Sequence, residues 1–320
     1  MNRKERLRKA LQFSAIEFEP AKADLYDVHG CAGLDGHRDK MFYRIESSKF
    51  NPLIEDVTFN ENCSYITHVN SVLEDGVIPS RISALRKTIN ATHYRQTKSA
   101  EMLLYAEVLS SRLLEYFGCP TVYNEAVSYN VGERQSIYEV VSVDFLEYGQ
   151  EFYSFFDLAC DFDDHLENCV RQIRYELGTD KFSYYSQKEK DKVVEDFVYS
   201  YFIRRNILRD VDFGHNNCGI IEDQERGKLQ YINYDFEYSM GARRPRGKEN
   251  LVYCSREFPH IFSRIFERVS EFRENFLELA GEFAIDFDNF FHREMVEELY
   301  YSVESAYWMM WKMGCKMIKR

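Results

Sequence analysis

The stretches LRDVDFGHNNCGII (residues 208–221) and LQYINYD (229–235) narrow what this chain can fold into more than any other feature. Only EDQERGK (222–228), a run of charged and turn-forming residues, lies between them. Two apolar runs joined by such a turn predict a β-hairpin. The chain enters this hairpin through a turn bearing Asp212 and Asn217 and leaves it at Asp235. A hairpin lays its two ends side by side, so the 18 residues from Asn217 to Asp235 collapse to a separation on the order of one strand spacing. Two carboxylates and an amide oxygen then converge. Mg²⁺ is a hard cation that takes such oxygen ligands together with phosphates and water. An Asp-x₄-Asn turn alone is common, because Asp, Asn and Gly are ordinary turn residues. Its weight here comes from the apolar helical run before it, the hairpin after it and the Asp at the hairpin's exit.

Composition sets the outer bounds. The 320 residues are 45% hydrophobic, enough for one large domain or two lobes around a cleft. A formal net charge of −12 argues against a nucleic-acid scaffold but not against a nucleotide whose phosphates a cation screens. Cysteines stand at 31, 63, 119, 160, 169, 218, 254 and 315, with no C-x-x-C pair. That scatter predicts free thiols in a reducing cytosol rather than a zinc site or a disulfide framework. The opening MNRKERLRKALQF is basic and lacks an apolar signal core, and no run of 18 apolar residues occurs. The expectation is therefore a cytoplasmic chain without a membrane span.

Along the chain the pattern changes twice. Residues 14–95 read as strand-rich and irregular, with KMFYRIE and CSYITHVNSVL as short strands broken at NP (51–52) and EDG (74–76). From Lys98 to Phe117 the spacing of Met102, Ala106, Leu109, Leu113 and Phe117 predicts a helix, ended by Gly118 and Pro120. Strands are expected at 121–131 and 136–146 around the turn GERQ. Residues 151–210 read as mostly helical, with Val194, Phe197, Val198, Tyr201 and Leu208 on a buried face. Helix is expected again over 255–320, where Phe262, Phe266, Val269, Phe272 and Phe276 trace an apolar stripe.

The frame of helix, L-x-x-x-D-x-x-x-x-N-x-G, hairpin and D-F-E resembles the catalytic core of the HipA-like serine/threonine kinases, a loop pattern shared with phosphatidylinositol kinases. The resemblance covers about residues 98–240. It implies an α+β, bilobal, protein-kinase-like fold, with a strand-rich N-lobe over 1–145 and a mainly helical C-lobe over 146–320. It implies ATP and Mg²⁺ in the cleft, Asp212 as catalytic base, and Asn217 and Asp235 as metal ligands. The acceptor would be a Ser/Thr hydroxyl of a protein, including the chain itself, and an antitoxin-type partner would accompany some members of the group. Two departures stand out. Phe213-Gly214 replaces the usual Arg-His, and Glu237 stands where Gly is usual. They keep open a second class of function, a kinase-like binding module without turnover. A kinase of lipid or small-molecule hydroxyls shares the loop pattern.

Such a kinase also needs a Lys on a strand, held by a Glu on the next helix, to grip the α- and β-phosphates. Glu107 flanks the apolar stripe of the 98–117 helix, and its distance from Gly118 matches the family's helix, so it is preferred over Glu101. Lys87, at the end of SRISALRK, is the first choice for the cation, with Arg86 and Lys98 as competitors. Gly30, Gly33 and Gly36 in GCAGLDGHRD offer small residues where backbone N–H groups could approach phosphates. In SIYEVVSVDFL, Ser142, Val143 and Asp144 would present backbone groups to the adenine edge while Val141 packs on the ring. The basic loop GARRPRGKEN (241–250) could serve as an activation segment or meet an acidic substrate.

Overall fold

The structure is a computed structural model that describes residues 2–11, 16–17, 24–25, 40–46, 81–88, 100–131, 135–143, 145–146, 149–236, 239, 247–283 and 293–317. The glycines at 30, 33 and 36, the stretch CSYITHVNSVL, Lys98, Asp144, Glu237 and residues 241–246 lie outside that set.

Two sheets organise the chain. The first has six strands: β1 (Ile16–Glu17), β2 (Asp24–Leu25), β3 (Lys40–Glu46), β4 (Arg81–Thr88), β5 (Asn124–Val131) and β6 (Gln135–Val143). Their order is β1-β5-β6-β4-β3-β2, antiparallel except where β1 lies parallel to β5. Helix α1 (Arg3–Leu11) precedes the sheet, and α2 (Ala100–Phe117) crosses between β4 and β5. Leu103, Ala106, Leu109, Leu113 and Phe117 of α2 are fully buried, as spacings of three and four require for one packed face. The helix stops at Gly118, whose φ of +78° a residue with a Cβ rarely adopts. There Gly118 N–H donates to the Glu115 carbonyl and Cys119 N–H to the Leu114 carbonyl, both at 2.9 Å, which is the paired bonding of a Schellman cap. A buried ion pair, Arg112 to Glu125 at 2.8 Å, ties α2 to β5.

The second sheet holds β7 (Gln150–Ser154), β8 (Cys218–Asp223) and β9 (Lys228–Asn233), antiparallel in that order. The hairpin expected from CGII and LQYIN is β8–β9. Strand β7 corrects the expectation of helix from residue 151. Five residues are too few to show a period, and the pairing that makes QEFYS a strand comes from β8, more than sixty residues away in sequence. That pairing explains Gly219: a Cβ there would sit 2.3 Å from the Tyr153 carbonyl oxygen and 2.7 Å from the Phe152 ring.

Helices supply the rest: α3 (Leu166–Leu177), α4 (Gln187–Phe202), α5 (Gly247–Glu257), α6 (Pro259–Phe283) and α7 (Arg293–Met317). Ser186 caps α4, its hydroxyl accepting from Glu189 N–H at 3.2 Å. The last residues of GARRPRGKEN form the first turn of α5 rather than loop. Phe155, Phe197, Phe213 and Tyr231 pack edge-on and stacked into a core between α4 and the second sheet. The fold is thus α+β, with a sheet-rich front and a largely helical back. No helix among the described residues is long and apolar enough to cross a membrane.

Candidate nucleotide and metal site

The site is built outward from Arg204. Helix α4 does not end cleanly; it widens into a π-turn over Ile203–Ile207, an element that recurs at functional sites. Arg204 in that turn is fully buried. Its Nε and Nη2 meet the Asp210 carboxylate at 2.7 and 2.5 Å. Its Nη1 donates to the Asn217 carbonyl at 2.7 Å and its Nη2 to the Asp235 carbonyl at 2.8 Å. Phe213 and Phe236 cover the guanidinium, with ring centroids 4.5 and 4.7 Å from Cζ. Burial is the largest single influence and opposes the positive charge, but Asp210, Tyr231 and Cys218 together outweigh it, and the pKa of Arg204 is raised above its ordinary value. One cation therefore joins the Asp-x₄-Asn turn to the exit of the β8–β9 hairpin. Arg205 adds a second clamp, donating to the Phe213 carbonyl at 2.8 Å and the Asp210 carbonyl at 3.3 Å.

The two aspartates of this turn have different surroundings. Asp210 is buried against Arg204, and its Oδ1 accepts the Asp212 N–H at 3.1 Å. Asp212 is exposed. Asn217 is 6% exposed and donates from Nδ2 to the Asp212 carbonyl at 2.7 Å and to Oδ2 of its carboxylate at 3.3 Å. Asn217 and Tyr234 are in turn bonded main chain to main chain, at 3.1 Å. So Asp212 and Asn217 touch directly, and Asp235 follows a residue that is bonded to Asn217. Asp235 has φ +58°, a left-handed conformation that Asp tolerates better than most residues. Strain of that kind persists where surrounding contacts hold it, here the Arg204 bond to the Asp235 carbonyl.

These residues suit Mg²⁺. With its Nδ2 committed to Asp212, Asn217 keeps its amide oxygen as an acceptor, and Asp212 and Asp235 are carboxylates. The adjacent Cys218 thiol is pushed up to about 12 by burial, partly opposed by Arg204, and is no thiolate ligand. Among the described residues no cluster of three or more His, Cys, Asp or Glu could hold a metal by itself. A metal here would complete its shell with phosphates and water, as Mg²⁺ does.

Glu107 lies at this same junction. It is buried, its Oε2 accepts the Phe236 N–H at 2.7 Å, and its Oε1 accepts from Asn124 Nδ2 at 3.3 Å. Asn124 Oδ1 accepts from the Ser142 hydroxyl at 2.6 Å. Val141 is buried in β6, and position 143 ends that strand. Strand β4 is an interior strand. Position 87 is in register with Val140 and, one strand further, Ala126; two residues along, Leu85, Ser142 and Asn124 form the next row. Rows two residues apart share a sheet face, so position 87 belongs to the face whose Asn124 bonds Glu107, and position 86 to the other. If Lys87 grips phosphate, Lys87→Ala is expected to lower turnover by about 10²-fold, the scale of one electrostatic contact to a transferring group. Arg86→Ala is expected to change it far less, and steady-state phosphate transfer by the two variants checks the order.

Three residues of the site escaped sequence reasoning: Arg204, Asp210 and Asn233. The Asn233 side chain donates to the Pro120 carbonyl at 2.7 Å and to Ser200 Oγ at 3.0 Å, fastening the turn after α2 to the end of β9. Nothing in RRNILRD marks which arginine is buried. The one available signal was a second Asp two residues before Asp212.

The fold brings an Asp-x₄-Asn turn, an Asp at a hairpin exit and a buried helix Glu to one junction. No protein-family model and no curated protein sequence matches this chain. Among solved structures it is similar to a crystal structure of the Helicobacter pylori proinflammatory kinase CtkA, with a TM-score of 0.50 and 12% identity over 94% of this chain and 99% of that one. At that identity the likeness shows a kinase-like fold, and it does not single out the HipA-like branch.

Proposed function

We propose that this chain is an ATP- and Mg²⁺-dependent kinase that transfers the γ-phosphoryl group to a Ser/Thr hydroxyl of a protein, itself included. The observation that carries the reading is the division of labour in the Asp210–Asn217 turn. Asp210 is spent inside on Arg204, whereas Asp212 is exposed and anchored through Asn217. A carboxylate held in place yet open to solvent can take the proton of an incoming hydroxyl. Asn217 and Asp235 would hold Mg²⁺, which would neutralise phosphate charge as it develops. Lys87 would grip the phosphates, and Val141, Ser142 and Val143 would line the adenine edge. Phe213 replaces the resembled family's Arg, yet it is buried and stacks on Arg204 and Phe197. It serves this loop as a wall over Arg204. The five described cysteines are buried free thiols.

Mg·ATP is expected to raise the melting temperature by binding the native state. Asp235→Asn is expected to remove most of the Mg²⁺-dependent part of that rise, since it deletes a ligand charge. Thermal shift with ATP alone and with Mg·ATP measures this, and an undiminished Mg²⁺ effect in the variant would move the metal elsewhere.

A further inference from the structure

We propose that Arg209 is a positioning residue for phosphoryl transfer, a role that rests on the kinase reading of the Asp212 loop. Its ion pair with Glu298 of α7 holds a left-handed turn that sends Asp210 inward and Asp212 outward. Arg209 has φ +48°, a conformation that any side chain with a Cβ resists and that glycine accepts freely. It stands where the π-turn gives way to the loop. Leu208 N–H donates to the Ile203 carbonyl at 3.0 Å and Asp210 N–H to the Arg204 carbonyl at 2.9 Å, so the change of chain direction falls on the residue between them. Helices that stop with a left-handed residue usually place glycine there. This chain has a long cation instead.

The side chain supplies what glycine could not. Arg209 Nη1 donates to the Glu298 carboxylate, 89 residues further along the chain. Among the described residues its Nε has no hydrogen-bond partner, so the tie runs through Nη1. Glu298 is itself well seated: Leu299 beside it is buried, and the Ser302 hydroxyl donates to the Glu298 carbonyl at 2.8 Å. Helix α7 is braced by α6, where Phe276 stacks on Tyr300 and Arg273 holds Glu304 at 2.5 Å. One end of the tie is therefore anchored in packed helix. The other end is one residue from Asp210 and three from Asp212. Relaxation of residue 209 toward the ordinary right-handed region would rotate the peptides that follow, including the Asp212 N–H that Asp210 accepts at 3.1 Å. A misplacement of about 1 Å in a reacting group can cost about 10²-fold in rate. The two side chains are 16% and 42% exposed, and a pair so open to water adds little to global stability. Its effect falls on the geometry of the turn.

Arg209→Ala and Arg209→Gly both delete the tie, but only alanine keeps the penalty of a left-handed residue. Transfer of labelled phosphate and a direct Mg·ATP titration are measured on the full chain, at a temperature where circular dichroism shows every variant folded. Arg209→Ala and Glu298→Ala are each expected to lower kcat by about 10-fold, with the Kd for Mg·ATP within about two-fold. Arg209→Gly is expected to lose less, about three-fold, because glycine holds the turn unaided. Adding Glu298→Ala to Arg209→Gly is then expected to cost nothing further, the mark of two residues acting through one contact. Amide exchange over residues 208–217 is expected to quicken several-fold in Arg209→Ala and Glu298→Ala. Undiminished kcat in Arg209→Ala or Glu298→Ala, beside an active wild type, overturns the proposal and leaves the kinase reading standing. So does an Arg209→Gly that fares no better than Arg209→Ala, or exchange over 208–217 that matches wild type. A wild type that transfers no phosphate overturns the kinase reading, and this role with it.

Discussion

Asp212→Asn is expected to lower phosphate incorporation by about 10²–10⁴-fold, the range a positioned general base contributes, while leaving the Kd for Mg·ATP within a few-fold. The asymmetry follows from where the side chain stands. Asp212 is exposed, and the loop's backbone is held by Arg204, Arg205 and Asn217. An amide of the same shape therefore keeps the scaffold and loses the basic oxygen. Transfer of labelled phosphate from ATP to the chain itself and to a generic basic protein, beside a direct ATP titration, gives both numbers. Undiminished transfer by the variant would mean that LRDVDFGHNNCGII is not a catalytic loop. A wild-type chain that binds Mg·ATP but labels neither protein nor inositol lipid would instead be a nucleotide-binding module.

The second large effect is on stability. Arg204→Met is expected to cost about 3–5 kcal/mol, the scale for removing one partner of a buried ion pair. Asp210 would be left buried and unneutralised, and the Asn217 and Asp235 carbonyls would lose their donor. Pairing Arg204→Met with Asp210→Leu should cost less than the two single changes added together, because the pair is coupled. Urea midpoints for the four proteins measure the cycle. A loss under about 1 kcal/mol for Arg204→Met, the range of an exposed pair, would refute its role as the joint of the site.

The contrast between these residues shows what was legible beforehand. Helix α2 and the β8–β9 hairpin are written in local patterns, an apolar stripe at helical spacing and a charged turn between two apolar runs, and both form there. Asp212, Asn217 and Asp235 could be picked out because a hairpin brings its own ends together. Arg204 could not. Its partners come from three separated segments, 210, 217 and 233–235, and only the folded chain assembles them. Strand β7 was hidden for the same reason, since its order comes from β8. Phe213 looked like a loss when compared with a family pattern, and in the fold it is half of an aromatic sleeve around a cation.

Helix α2 meets the second sheet at two points along its length. Its foot, the turn at Gly118–Pro120, is fastened to β9 by Asn233. Its middle touches the second sheet's exit through Glu107 and the Phe236 N–H. Ten residues separate Glu107 from Phe117, an arm of about 15 Å at helical rise. A tilt of about 4° about the foot thus carries residue 107 by about 1 Å, enough to take a 2.7 Å bond beyond hydrogen-bonding length. Small rotations of this rod, amplified along the arm, would decide whether the peptide following Asp235 is held or released.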